Sequence, residues 1–157
     1  MSFAKDIKDF TLAFNDAAED TVRGTTIKLW GAIVDSSPVD EGRFRANWIA
    51  SFDDTDSTVE SKDKGGDRTK AKITSSVLSQ KDYSQFTLTN NLPYGEVIEF
   101  GGYPKSVKKG TYLGKGKGYE IRSAGGYSKQ AAQGVVRVNI KSFNALLESE
   151  AKKRMPK

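Results

Sequence analysis

The sequence predicts an α+β fold in a single domain over residues 1–157, and three observations carry that prediction. A long amphipathic helical pattern opens the chain, a shorter one closes it, and between them lie segments in which apolar and polar residues alternate. The expected architecture is a small antiparallel sheet from residues 47–53, 84–90 and 134–141, packed on one face by the two terminal helices. A long basic insertion rich in Gly and Tyr lies between the last two strands.

The first helix is capped by Ser2, and Phe3, Ile7, Phe10, Phe14 and Ala17 recur at steps of four and three. The stripe continues through Val22, Thr25, Leu29 and Ile33. Lys5, Asp9, Asp16, Glu19, Asp20 and Arg23 fall mostly off it. Gly24 and Gly31 each weaken a helix by about 1 kcal/mol relative to alanine, so a kink or break is expected near one of them. The Phe stripe reads as core or subunit contact rather than a cofactor site. Pro38 ends the pattern, because the residue before proline is pushed out of the helical region.

In the next segment Asp40 is expected to cap a short turn, with Arg43 and Arg45 outward and Phe44 and Trp48 buried. Two readings of the arginines stand side by side: contact with a phosphate or a partner, and pairing with Asp40 or Glu41. Residues 53–67 read as a solvated polar loop. A calcium loop fails there, since Val59 stands where glycine is needed and Gly65 where a bidentate acid is needed. Residues 68–80, with Ile73 and Val77 four apart, read as a short helix.

From Phe86 to Gly102 the chain reads as a strand, a hard corner and one or two helical turns. Phe86 and Leu88 alternate with Thr87 and Thr89; Pro93 opens a helical turn in which its missing amide costs nothing; Gly101 and Gly102 allow the exit. Tyr94, Val97 and Ile98 share one face, with Glu96 and Glu99 off it. Residues 103–130, an extended loop or arm, hold seven basic residues against Glu120 alone, with Tyr103, Tyr112, Tyr119 and Tyr127 interleaved. This composition fits an arm that orders on a neighbouring subunit, a plain loop, or a sequence-tolerant nucleic-acid contact, in that order of preference. Val136, Val138 and Ile140 alternate with Arg137 and Asn139 and predict a strand, after which Ser142 caps the last helix, with Phe143, Leu147 and Ala151 along its apolar edge.

Three blocks of this sequence, S-S-P-V-D-E-G-R-F-R-A-N-W at 36–48, L-T-N-N-L-P-Y-G-E-V-I-E-F-G-G at 88–102 and S-K-Q-A-A-Q-G-V-V-R-V at 128–138, occur in that order. Together they resemble the tail-completion and head-tail joining proteins of long-tailed bacteriophages, small neck or minor-tail subunits that work as rings. Glu41 departs from the threonine usual in the family, and residues 103–127 read as an insertion. The resemblance implies a structural virion protein in the neck or tail, assembled in the host cytoplasm. It implies a homo-oligomeric ring, expected as a hexamer, that meets the head connector or stopper on one side and the tail tube or terminator on the other. A tail terminator, a connector-stopper, or a nucleic-acid binding module acting through residues 103–130 on channel DNA are the alternatives. The candidate interface residues are Arg43, Arg45, Tyr94, Glu99, Tyr103, Lys108, Lys109, Tyr112, Lys115, Lys117, Tyr119 and Arg137.

Composition narrows the classes independently. A net charge of +5 is too small to demand nucleic acid, and the chain has no cysteine for disulfides or thiolate metal sites. With no histidine either, imidazole acid–base chemistry and thiolate attack are absent, and the carboxylates lie in loops without a visible partner; an enzyme is not expected, nor a cofactor or metal. The longest apolar stretch, residues 29–34, is interrupted by Gly31, so neither a signal peptide nor a membrane span is expected.

Overall fold

A computed structural model of the chain describes residues 3–52, 58–59, 62–81, 85–104, 113, 115, 117–118 and 122–155. Helix α1 runs unbroken from Phe3 to Ser36, followed by α2 (Arg43–Ala46), β1 (Trp48–Ser51), α3 (Asp67–Ser79), β2 (Thr87–Asn90) and α4 (Gly95–Phe100). A small hairpin of β3 (Ser123–Ala124) and β4 (Tyr127–Ser128) comes next, then α5 (Val136–Ile140) and α6 (Phe143–Arg154). The architecture is α+β, helix-rich, with the long N-terminal and the C-terminal helix packed together and one two-stranded antiparallel sheet beside them.

The expected break in α1 does not occur. At Gly24 the reason is packing: a Cβ there would sit 2.5 Å from Glu150 Oε2, so the glycine is what lets α6 cross α1 closely. The C-terminal half of α1 supplies Leu29, Trp30, Ile33 and Val34 to the core. These residues meet Ile73 and Val77 of α3, Phe44 and Trp48 around α2 and β1, Leu92 and Ile98 at the α4 corner, and Ala131 and Val135. Edge-on aromatic pairs tie the layers together: Phe44 with Trp48 at 5.6 Å, Phe52 with Phe86 at 5.3 Å, and Trp30 with Phe86 at 6.3 Å. Trp48 Nε1 also donates to Ser37 Oγ at 2.7 Å, which satisfies its one polar atom inside the core.

The sheet pairs β1 with β2 in the register Trp48↔Asn90 to Ser51↔Thr87. Its third expected strand is absent: residues 136–140 form helix α5. Alternation over five residues cannot separate a strand from one helical turn, and the decisive interaction is remote. Glu99 accepts the backbone amides of Val135, Val136 and Arg137, which fixes a helical start just where a strand would need a neighbouring ladder. Helix α3 is as expected, but the segment before it is more than a solvated loop. The Asp63 carboxylate accepts from the amides of Gly66 and Thr69 and from the Thr69 hydroxyl, anchoring the helix start from outside it. Burial pushes the Asp63 carboxyl up, but these donors and the nearby Arg68 outweigh it and hold it below the usual value.

Ser142 stands at the N-cap of α6, yet its hydroxyl donates to Asn139 O and caps nothing. The apolar edge expected for α6 is also displaced. Phe143 is exposed, whereas Leu146 packs on the core and Glu150, 2% exposed, is the one fully buried residue of the helix. Asp40 likewise does not cap α2. Gly42, at φ 85, makes that turn, and Asp40 pairs with Arg122.

Candidate assembly surface

The α4 corner is built as the Leu-Pro pair dictates. Gly95 N–H bonds Leu92 O at 2.9 Å to close the Pro93–Tyr94 turn, and Ile98 turns into the core. Gly101 and Gly102, at φ 86 and 106, then carry the chain away in conformations other residues rarely adopt. The β3–β4 hairpin lies against this exit: Gly126 O accepts from both Gly102 and Tyr103 N–H, and the Tyr127 ring covers Gly101 closely enough that a Cβ there would touch it at 2.8 Å. Gln130 adds a two-way side-chain bond to the backbone of Val39, at 2.8 and 3.0 Å. Residues 122–130, taken in the sequence as part of one long arm, therefore belong to the body of the fold.

Glu99 was expected to lie off the buried face of α4; it turns instead toward α5. Its carboxylate receives Val135 N–H at 2.7 Å, Val136 N–H at 2.9 Å and Arg137 N–H at 2.9 Å, and the Arg137 guanidinium donates to the same carboxylate and to Glu99 O. That guanidinium also sits 5.1 Å over the Phe100 ring. Burial pushes the Glu99 carboxyl up, but the three amides and Arg137 outweigh it and hold it below the ordinary glutamate value. Gly134, at φ 81, permits the close approach, since a Cβ there would lie 2.7 Å from Glu99 O. Glu99 and Arg137 are thus internal joints linking two elements. Chain separation, 38 residues for the side-chain pair, hides such a joint from any local pattern.

The other expected interface residues divide. Arg45 is an internal tie, donating to the carbonyls of Asp35, Ser37 and Lys64 and so drawing the end of α1 to the start of α3; neither Asp40 nor Glu41 is its partner. Arg43 is exposed. Tyr94 is 38% exposed, packs its ring 5.9 Å from Phe44, and has its hydroxyl pushed up by burial, with Arg43 opposing. Tyr103 packs against the core, and burial pushes its hydroxyl up too. Lys115 and Lys117 are exposed, while Lys108, Lys109, Tyr112 and Tyr119 lie outside the described residues. Beside α4 a groove of about 420 Å³ is lined by Phe44, Leu92, Pro93, Phe100 and Val136.

One uncovered feature is a stripe the sequence marked as core or subunit contact. Every residue from 3 to 16 of α1 is exposed, and along that stretch Phe3 (79% exposed), Ile7, Phe10 (58%), Leu12 and Phe14 present apolar side chains to solvent. The seam those residues begin, at steps of four and three, continues into Ala17 and Thr21, which are buried, and Gly24, which α6 covers. One stripe is therefore half filled by the chain's own α3 and α6 and half open. Exposed contiguous apolar surface of this kind marks a contact site.

Among the described residues no cluster of three or more acidic groups is placed to hold a metal ion, and no helix is long and apolar enough to cross a membrane. Compared with protein-family models, with curated proteins and with solved structures, the chain matches none.

Proposed function

We propose that this chain is a structural subunit of the neck of a long-tailed bacteriophage, a tail-completion ring subunit that joins the head connector to the tail. The observation that carries the reading is the open half of the α1 stripe: four turns of helix whose aromatic face is exposed among the described residues, as a protein that exists to contact copies and neighbours requires. The three sequence blocks resembling the joining family support it. So does the use of Glu99, Arg137 and Arg45 as internal ties, which stiffen the body that presents the stripe.

Phe10→Asp together with Phe14→Asp is expected to leave the melting temperature nearly unchanged, because both rings are exposed, and to abolish joining. Phage lacking the wild-type subunit should accumulate filled heads and finished tails that do not connect, and the double variant should fail to restore them. Sedimentation and imaging of the purified chain, alone and mixed with connectors or tail tubes, give the direct reading. A chain that stays monomeric at high concentration and binds neither partner rules the neck role out; steep, salt-sensitive binding to DNA in its place would favour the nucleic-acid module.

A further inference from the structure

Resting on the ring reading, we propose that successive subunits join head to tail, the open N-terminal half of α1 of one copy lying along the outer face of the α5–α6 corner of the next. The first observation is charge. Residues 3–16, the open stretch, carry Asp6, Asp9 and Asp16 against Lys5 and Lys8, a net −1, with Asp20 just beyond them and Glu19 paired with Arg23. Residues 136–154 carry five cations against Glu148 and Glu150, a net +3, and +2 when Arg137 is neutralised by its pairing with Glu99.

Shape and apolar surface match as well. The α5–α6 corner exposes Val138 (39%), Ile140 (54%) and Phe143 (41%), with Lys141 beside them and Lys152 and Lys153 further along α6. The open stretch of α1, residues 3–16, is about 20 Å long, and α6, of 12 residues, about 18 Å. The aromatic stripe thus has an apolar corner to meet, and a helix of nearly its own length, carrying lysines, that runs on from that corner. Two α1 stripes facing each other would instead bring like charge to like.

Geometry makes the pairing intermolecular. Asn139 of α5 bonds Ser36 at the C-terminal end of α1, and Glu150 of α6 meets Gly24 and Lys28, so α6 runs antiparallel to α1 and its corner lies at the far end from Phe3. From Phe14 to Ser36 is about 33 Å along a straight helix, so the open half of α1 cannot fold back onto its own corner. Complementary patches at opposite ends of one rigid subunit form a heterologous contact, the kind that closes into a ring when the rotation permits.

The chain has no cysteine, which allows a clean test on the whole protein. Phe10→Cys and Ile140→Cys are made in separate chains, both at exposed positions, with Ser75→Cys on the exposed side of α3 as control. On mild oxidation at high concentration, the mixture of the first two should give a disulfide heterodimer at least tenfold above either chain alone and above Phe10→Cys mixed with Ser75→Cys. A Phe10→Cys homodimer that dominates, or a heterodimer no stronger than the control, overturns the head-to-tail contact. Rings that form from the wild-type chain despite that result would leave the neck reading standing and remove this contact alone; variants that fail to cross-link through these sites, together with a wild-type chain that neither forms rings nor joins connectors and tails, remove both.

Discussion

Glu99→Ala is expected to lower stability by about 3 kcal/mol or more, a fall in Tm of roughly 6–12 °C for a chain of this size. The carboxylate is the acceptor for the amides of Val135, Val136 and Arg137 and for the Arg137 guanidinium, and its side chain is only 13% exposed. Alanine leaves three donors without their acceptor, and the Arg137 guanidinium with only the backbone Glu99 O, at the point where α4 holds α5. Acid should have the same effect reversibly. The folded carboxyl sits below its ordinary value, so its stabilisation is complete above the unfolded glutamate pKa of about 4.3 and is lost as pH falls through the lower folded value. Melts of wild type and Glu99→Gln from pH 7 to 3 should therefore converge at the acid end. A Glu99→Ala chain that melts with the wild type, or a gap that widens in acid, contradicts the assigned role.

Glu150→Ala is expected to cost about 2–3 kcal/mol, toward the low end for breaking a buried ion pair because its cations are partly solvated. Glu150 is buried and is met by Lys28, Lys153 and Arg154, whose side chains are 44%, 57% and 33% exposed. Without it these cations crowd one another. The crowding is already felt at Lys28, whose ammonium is pushed below its usual pKa, first by Lys153, then by burial and Arg154. Gly24 provides the second half of the experiment. Gly24→Ala alone should destabilise, since its Cβ would lie 2.5 Å from Glu150 Oε2 and 2.9 Å from the Arg154 guanidinium; in the Glu150→Ala background the first obstacle is gone, the second is a flexible side-chain end released from the carboxylate that holds it, and the helix gains about 1 kcal/mol from alanine. Denaturant titration of the four-member cycle should show this change of sign; simple additivity would mean that Gly24 and Glu150 do not constrain each other.

These two residues also show where the sequence stops being readable. Helix α1, the α3 helix around Ile73 and Val77, the β1–β2 pair and the Pro93 corner follow from local rules: period, proline placement, alternation. Residues 136–140 were misread as a strand because their conformation is set by Glu99, 36 or more positions earlier, and no window of local pattern contains that partner. The same distance hid Glu99 and Arg137 as joints and Arg45 as a tie, and made all three look like surface charges awaiting a partner. The candidate site fared unevenly for a related reason. The Phe stripe was visible as a stripe, but whether it is covered depends on where α6 ends against α1, which is a property of the fold.

That same stripe divides α1 in time. Its C-terminal half is locked into the core and can lose its hydrogen bonds only when much of the molecule opens, whereas the first four turns rest on helix propensity alone. A detached helix of that length would be marginal in water, because starting one is costly; here the start is already fixed by the buried half, and the outer turns merely extend it. The outer amides should therefore exchange with solvent by brief local fraying and the inner ones over far longer intervals, within one unbroken helix. A surface that is preformed yet loosely held can meet its partner without first having to fold.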